Sequence, residues 1–167
     1  MNLSFTVYGV PQPQGSTRTF LRKDAGPPII TSDNPKLKPF RQELAWIAVD
    51  VMQRTQQQKA PRGVAVSASM AFYFEKPKSA RKSARWKVTK PDLDKLLRAV
   101  LDGVTGIAYE DDSQVCECAL VKAFGSPARV EILVKTIEAV PKTLLEASPQ
   151  LADSAGERAP VLAFGKE

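Results

Sequence analysis

The sequence predicts an α+β fold, in which a mixed β-sheet carries two main helices packed mainly on one face. Several stretches alternate apolar and polar residues, which predicts strands, and two others repeat apolar residues at helical spacing. Strands and helices follow one another without strict alternation, which favours α+β over a parallel α/β sheet. The chain has 167 residues, 43% hydrophobic and 25% charged, so it is long enough for one domain with a real core.

The first predicted strand covers residues 3–10 and breaks in a loop at 9–16 that is rich in proline and glycine. Basic residues follow, among them Arg18. Two interpretations stay open for this region. Its backbone and arginines contact phosphates, or it forms a solvated hairpin. Residues 28–31 fit a short second strand.

A helix is expected from near Pro35 to about Gln56, capped by Asn34 or Ser32. Its apolar residues recur at helical spacing, with Trp46 nearby, and the stripe consists of Phe40, Leu44, Ile47, Ala48 and Val51. This helix is expected to pack against the sheet, and it shows no evident chemistry.

Residues 64–74 alternate most clearly and predict a strand that leads into a basic loop. Between residues 76 and 90 the loop has seven basic residues and no acid, namely Lys76, Lys78, Arg81, Lys82, Arg85, Lys87 and Lys90. Runs of like charge are usually solvated loops. The net charge of +6 and this clustering nevertheless predict nucleic-acid binding here. Trp86 fits either stacking on an exposed base or ordinary packing.

The stretch 90–115 organises the chain. Its apolar spacing predicts a short amphipathic helix with a core face made by Leu93, Leu96, Leu97, Val100 and Leu101. Glycines at 103 and 106 are expected to end it, because glycine adopts the left-handed conformation of a C-cap. Asp92 and Asp94 stand at its start, and a second acidic group, Glu110 to Asp112, follows in a turn.

These acids fit metal chemistry. The chain has no histidine and only two cysteines, which argues against a structural zinc site and leaves oxygen ligands. Magnesium takes hard oxygen ligands, and two such ions roughly 4 Å apart can drive hydrolysis of a phosphodiester. The alternative is structural, with Asp92 as an N-cap and Asp111 and Asp112 as turn formers. The pattern alone does not decide between them.

Residues 115–124 and 128–137 predict two further strands, joined by a hairpin turn at 125–127. Cys116 and Cys118 alternate along the first of them and are expected to be reduced thiols in or near the core. From residue 139 the composition becomes polar and punctuated by proline, so we expect one folded domain at 1–138 and a partly disordered extension at 139–167. No signal peptide or membrane span is evident, which predicts a cytoplasmic protein.

The ordered motif from Pro91 to Asp102, followed by a glycine-containing link and Asp111 to Val115, resembles the RusA family of Holliday junction resolvases. The early Gly-x-Pro-x-x-x-Gly region is also typical of that family. The resemblance extends over residues 3–138, and it maps the catalytic acids onto Asp92, Asp94 and one of Asp111 and Asp112, with Asp112 favoured. Arg98 stands where the family usually has a lysine.

The resemblance implies a homodimeric, Mg²⁺-dependent endodeoxyribonuclease, with Mn²⁺ as a possible substitute, that resolves four-way junctions in DNA recombination and repair. It implies attack by water activated by one or two metals, leaving a 5′-phosphate and a 3′-hydroxyl, in a bacterial or phage-infected cell. Arg98 lies four residues after Asp94, which fits either stabilisation of the transition state or a surface salt bridge. The alternative from another class is a non-catalytic basic DNA-binding module, and a third is a basic scaffold.

Overall fold

Alternating apolar side chains of three strands of the main sheet form the core together with two amphipathic helices. The computed structural model describes residues 1–15 and 34–137, with the backbone alone for Thr17–Phe20 and Ile29–Ser32. The strands are β1 (Asn2–Tyr8), β2 (Thr17–Phe20), β3 (Ile29–Ser32), β4 (Val66–Phe74), β5 (Val115–Phe124) and β6 (Arg129–Thr136), and the helices are α1 (Leu37–Arg54) and α2 (Leu93–Val104).

The main sheet has the order β1-β6-β4-β5, so β4 is an inner strand and β5 lies at an edge. β5 runs parallel to β4, whereas β6 pairs antiparallel with both β4 and β1. β2 and β3 form a separate antiparallel pair. The mixed sheet with two helices confirms the predicted α+β class. The strand at Thr17–Phe20 was not predicted as such, although a hairpin was one of the two interpretations of that region.

One face of the sheet carries the core. On β4 every second residue from Val66 to Phe74 is buried, and the buried side chains of β1 and β6 lie on the same face. α2 contributes Leu96, with Leu93, Leu97 and Leu101 packed at the margin. Burying a side chain such as Phe72 stabilises the fold by about 1.5–3 kcal/mol. The predicted apolar faces of both helices are confirmed, but Trp46 is 71% exposed.

The glycines of α2 differ in role, and one prediction is wrong. Gly103 is the last but one residue of α2 and is not the C-cap, which is Thr105, and a Cβ at Gly103 would stand 3.1 Å from a methyl of Leu44 on α1. Its small size therefore permits the close contact of the two helices. Gly106, with φ of +81°, has the expected left-handed conformation just after the helix.

The predicted hairpin between the last two strands is also wrong. β5 and β6 flank β4 on opposite sides, and the short link between them crosses the end of β4, where the Gly125 N–H donates to the Phe74 carbonyl at 2.9 Å. β4 pairs with β5 along one side and with β6 along the other, so the two strands that the link joins do not pair with each other. A short link rich in glycine and proline fits this crossing as well as a hairpin, so the turn signal was ambiguous.

Two smaller expectations are corrected. Cys116 and Cys118 are exposed free thiols on β5 and are not packed in the core, because β5 is the edge strand of the sheet. α1 begins after Lys36, which makes no side-chain cap, while Asn34 Oδ1 accepts from the Lys36 N–H at 3.1 Å just before the helix.

The chain divides into two units, Met1–Ile137 and Glu138–Glu167. The predicted extension at 139–167 lies outside the described residues. The side chains of Ser32, the alternative helix cap, and of Arg18, a predicted DNA-binding residue, also lie outside them. Neither helix of the described chain is long and apolar enough to cross a bilayer.

Candidate metal centre and nucleic-acid interface

Two carboxylates at the start of α2 have no hydrogen bond or ion pair within the described part of the chain. Asp92 occupies the N-cap position with an extended backbone, yet its side chain makes no capping hydrogen bond. Asp94 follows in the first turn, and both residues are exposed. Within the described part of the chain, neither carboxylate has a hydrogen bond or an ion pair. The capping role predicted as the alternative for Asp92 is therefore not realised, and both groups are available to a ligand.

Neighbouring contacts hold this acid pair in place. On the approach to the helix, Lys122 Nζ of β5 donates to the Pro91 carbonyl at 2.7 Å and to the Thr89 carbonyl at 3.0 Å. In the first turn, the Gln14 N–H donates to the Lys95 carbonyl at 2.9 Å. The two aspartates are thus carried on backbone that is anchored to β5 on one side and to the loop after β1 on the other.

A pocket of about 510 Å³ adjoins Asp92, and its polar lining consists of Gln14, Asn34, Lys90, Asp92 and Lys95. Its wall is braced, since the Asn34 amide donates to the Pro13 carbonyl at 3.0 Å. Gln14 accepts from Arg41 at 2.6 Å. Lys90 and Lys95 lie beside the Asp92 carboxylate in this pocket. The lysines attract an anionic phosphate, and a divalent cation bound by Asp92 would attract it as well.

The basic loop between β4 and α2 leads directly to Asp92. Its end lies beside β5, where Trp86 bridges to Ala123 and the Phe124 N–H donates to the Arg85 carbonyl at 2.8 Å. Trp86 is 64% exposed and Val88 89% exposed. The structure therefore does not bear out the packing alternative for Trp86, and stacking on an exposed base stays a prediction.

The predicted DNA-binding lysines and arginines of this loop are exposed, except for Lys87, which is half-buried. Burial, and then the nearby charge of Lys122, lower the pKa of Lys87. Its ammonium also lies 5.1 Å from the centre of the Phe74 ring, a distance at which the cation is attracted to the ring face. The loop therefore forms a positive rim along the path into the acid pair.

The second acidic group lies beyond the other end of α2, in a turn fixed by Gln114. The Gln114 amide donates to the carbonyls of Pro61 at 2.8 Å and Val64 at 3.0 Å. Asp111 accepts from the Ser113 N–H at 3.0 Å. Interaction with the Ser113 side chain, and then with its backbone N–H, lowers the pKa of the Asp111 carboxyl. Asp112 is exposed and begins the short 3-10 helix Asp112–Gln114.

The members of this group divide into structural and available carboxylates. Glu110 pairs with Lys59 at 2.9 Å, and Asp111 caps the 3-10 helix. The Asp112 side chain takes no part in this capping box, which supports the preference for Asp112 over Asp111 as a metal ligand. The assignment of either residue stays a prediction.

One chain does not bring the two acidic groups together. They lie at opposite ends of α2, whose twelve residues span about 18 Å at 1.5 Å per residue. Among the described residues, no group of three or more acids and cysteines is arranged to hold a metal ion. Asp92 and Asp94 therefore form one potential ligand pair, and Asp111 and Asp112 form another.

Arg98 is exposed on α2, and the described residues contain no ion pair between it and Asp94. The salt-bridge alternative is thus not realised. Two contributors to the site were missed from the sequence, Gln14 and Lys95. Lys95 stands three residues after Asp92, so a helical projection of the motif would have placed it on the same side.

Comparison with known proteins gives a family and a relative for this chain. Residues 11–135 match the family model described as "Endodeoxyribonuclease RusA", which covers the loop at Gln14, the basic loop and both acidic groups. The chain is also 30% identical over 150 residues to "Uncharacterized protein YqaN" of Bacillus subtilis (strain 168), an alignment that covers 82% of this chain and 98% of that protein.

Proposed function

This chain belongs to the RusA endodeoxyribonuclease family, and from that premise we propose that it is a Mg²⁺-dependent nuclease that cuts four-way DNA junctions. The family assignment makes it a nuclease whose relatives act on branched DNA. The observation that carries the finer proposal is the pair of exposed carboxylates at Asp92 and Asp94, which have no hydrogen bond or ion pair in the described chain and stand beside a positive rim.

The donor set fits the proposed metal. Magnesium is held by one or two carboxylates together with waters and substrate phosphate oxygens, at positions that need no histidine or thiolate. Asp92 and Asp94 supply such carboxylates, and Asp112 is the third proposed ligand. When bound, the divalent cation supplies an activated water and offsets negative charge at the scissile phosphate.

Basic residues of the chain bind the DNA backbone and stabilise charge during the reaction. Lysines of the basic loop and the pocket, including Lys90 and Lys95, attract the phosphate backbone. A water oxygen forms a bond to phosphorus while the bond from phosphorus to the 3′ oxygen breaks, and that oxygen takes up a proton. Arg98, one turn after Asp94, offsets charge on the transition state. The products are a 5′-phosphate and a 3′-hydroxyl.

Resolution of a junction needs two cuts related by the two-fold symmetry of the DNA. A symmetric homodimer presents two equivalent sites to the two strands. The separation of the acidic groups within one chain also favours a dimer, because Asp112 can join Asp92 and Asp94 only if it comes from a second copy.

The test uses a labelled synthetic four-way junction with purified full-length protein, in magnesium or in chelator. Metal-dependent paired cuts are expected. Asp92→Asn and Asp94→Asn should keep junction binding but slow cleavage by a factor on the order of 100–1000, since each loses several kcal/mol of charge stabilisation. Full cleavage by both variants would refute the metal site. Binding without any cleavage by the wild type would instead support the non-catalytic DNA-binding module.

A further inference from the structure

Arg41 of α1 joins α2 to the loop that follows β1. Its Nη2 atom donates to the Asp102 carboxylate of α2 and, at 2.6 Å, to Oε1 of Gln14. Both contacts are partly buried, so water competes less for the donor groups. The main-chain N–H of Gln14 donates to the Lys95 carbonyl of α2 at 2.9 Å. Gln14 is therefore fixed to α1 through its side chain and to α2 through its backbone.

The bond to Arg41 determines the direction of the Gln14 amide. A guanidinium group has five N–H donors and no acceptor, so only the oxygen of a glutamine amide can face it. The amide nitrogen, which carries two N–H donors, must therefore point away from Arg41. Within the described residues this nitrogen has no hydrogen bond, so two donors of fixed direction are left for a ligand.

Gln14 lines the pocket beside Asp92 together with Lys90 and Lys95. The ammonium groups of these lysines have no hydrogen bond or ion pair in the part of the chain that the structure describes. Asn34, the remaining polar side chain of the lining, uses its amide to brace the wall. Apart from the Asp92 carboxylate, the side chains that a ligand meets here are therefore hydrogen-bond donors, and two of them are positively charged.

Such a lining suits a group that has negative charge and only accepts hydrogen bonds. Phosphate oxygens meet this description, whereas the edge of a base pair presents donors as well. A lysine attracts a phosphate as a point charge on a flexible stem and fixes little of its direction. A braced amide fixes both distance and direction, and glutamine contacts to phosphate oxygens set the position of a strand in protein–DNA complexes.

We propose that the Gln14 amide donates to an oxygen of the backbone phosphate next to the scissile one, and that Arg41 is the positioning residue that orients this amide. The proposal rests on the proposed function in taking DNA as the ligand of the pocket. The contact holds the strand in register with Asp92, because Gln14 and Asp92 lie on the same pocket and the Gln14 backbone is bonded to the first turn of α2.

Gln14→Glu separates this contact from the packing of the loop. A carboxylate still accepts from Arg41, so the free energy of unfolding should be unchanged or higher, but both donors are lost and a negative charge faces the phosphate. Binding of a labelled four-way junction in chelator should weaken by about 10–100-fold, the effect of one hydrogen bond to a charged group. A variant that is stable and binds as tightly as the wild type would overturn the proposal.

Two variants serve as controls for Gln14→Glu. Gln12→Glu adds the same charge two residues earlier, outside the pocket lining, and keeps the oxygen that accepts from Asn34, so it should change junction affinity by no more than about 3-fold. Gln14→Met loses the donors without adding charge, so its junction affinity should lie between those of the wild type and Gln14→Glu. Equal losses for the Gln12→Glu and Gln14→Glu proteins would show a general charge effect and count against the contact.

The positioning role of Arg41 is tested by Arg41→Met and Arg41→Lys. Without the guanidinium the Gln14 amide is free to rotate, so Arg41→Met should weaken junction binding at a temperature at which circular dichroism shows it folded. Arg41→Lys should recover part of the affinity, because an ammonium group also only donates. Wild-type affinity in folded Arg41→Met protein would refute the positioning role.

A methylphosphonate scan around the branch point identifies the phosphate, because each substitution replaces one charged oxygen by a methyl group. At the contacted phosphate it should weaken binding by the wild type and remove most of the difference between the wild type and Gln14→Glu. At the other phosphates that difference should persist, and a difference that is the same at every position would exclude a single contact. These measurements need no turnover, so a wild type that binds without nicking would refute the nuclease proposal and leave the Gln14 contact standing.

Discussion

Lys122 is predicted to be a positioning residue for the acid pair, and the substitution Lys122→Met tests this role while keeping most of the aliphatic stem. The ammonium makes two hydrogen bonds, at 2.7 Å to the Pro91 carbonyl and 3.0 Å to the Thr89 carbonyl. Hydrogen bonds to charged groups contribute about 1.5–3 kcal/mol each. The Thr89 bond is exposed and the Pro91 bond is partly buried, so solvent screening reduces this contribution.

A second effect opposes the loss. The charge of Lys122 lowers the pKa of Lys87, after the larger effect of burial, so removal of Lys122 relieves repulsion between two ammonium groups. We therefore expect Lys122→Met to lower the free energy of unfolding by about 1–2 kcal/mol. It should also raise the Mg²⁺ concentration needed for half-maximal nicking several-fold, because the backbone that carries Asp92 loses an anchor.

The assay combines urea unfolding with a Mg²⁺ titration of junction nicking. Lys135→Met is the matched control, since Lys135 is exposed on β6 and its side chain has no hydrogen bond or ion pair within the described chain, and it should change neither quantity. Lys122→Arg should restore part of the Mg²⁺ dependence. An unchanged unfolding free energy together with an unchanged Mg²⁺ requirement would refute the positioning role.

Two further predictions concern the rim and the core. Neutralising Arg81, Lys82 and Arg85 together should weaken junction binding and reduce the slope of log affinity against log salt by about 2–3; an unchanged slope would show that the loop makes no phosphate contacts. Burial raises the pKa of Tyr109 above its ordinary value of 10.0, so the stability contributed by the neutral phenol is complete below about pH 10 and is lost as pH rises further. Tyr109→Phe removes the 3.2 Å bond to the Leu101 carbonyl, so it should cost about 1 kcal/mol at neutral pH and flatten the alkaline loss of stability; an equal alkaline loss in both proteins would contradict this.

Local patterns predicted the elements well where burial and periodicity agree. The alternation of residues 64–74 became β4, and the leucine spacing after Asp94 became α2, because each pattern matches one buried face. The motif from Pro91 to Val115 also led to the family that residues 11–135 match. These successes depend on short-range geometry, which the sequence expresses directly.

The errors concern choices that depend on distant parts of the chain. Gly103 was expected to end a helix, but its lack of a side chain accommodates Leu44, a residue nearly sixty positions earlier. The link at Gly125 was expected to be a hairpin, because turn residues do not reveal that β4 lies between the strands they join. Cys116 and Cys118 were expected to be packed, since alternation alone cannot identify the edge strand.

The site was predictable in composition but not in assembly. The sequence identified Asp92, Asp94 and the basic loop, and the structure leaves these carboxylates exposed beside that loop. The sequence could not indicate that Asp111 and Asp112 lie beyond the far end of α2, because the distance between two turns depends on how the chain folds around the helix.

Binding of Mn²⁺ to the full-length protein on an uncleavable four-way junction tests most directly whether the carboxylates at the start of α2 hold a divalent cation. Electron paramagnetic resonance counts the bound ions without relying on turnover. The wild type should hold Mn²⁺ at sites that the Asp92→Asn, Asp94→Asn double variant loses while still binding the junction. The same number of tightly bound ions in the double variant would contradict the assignment.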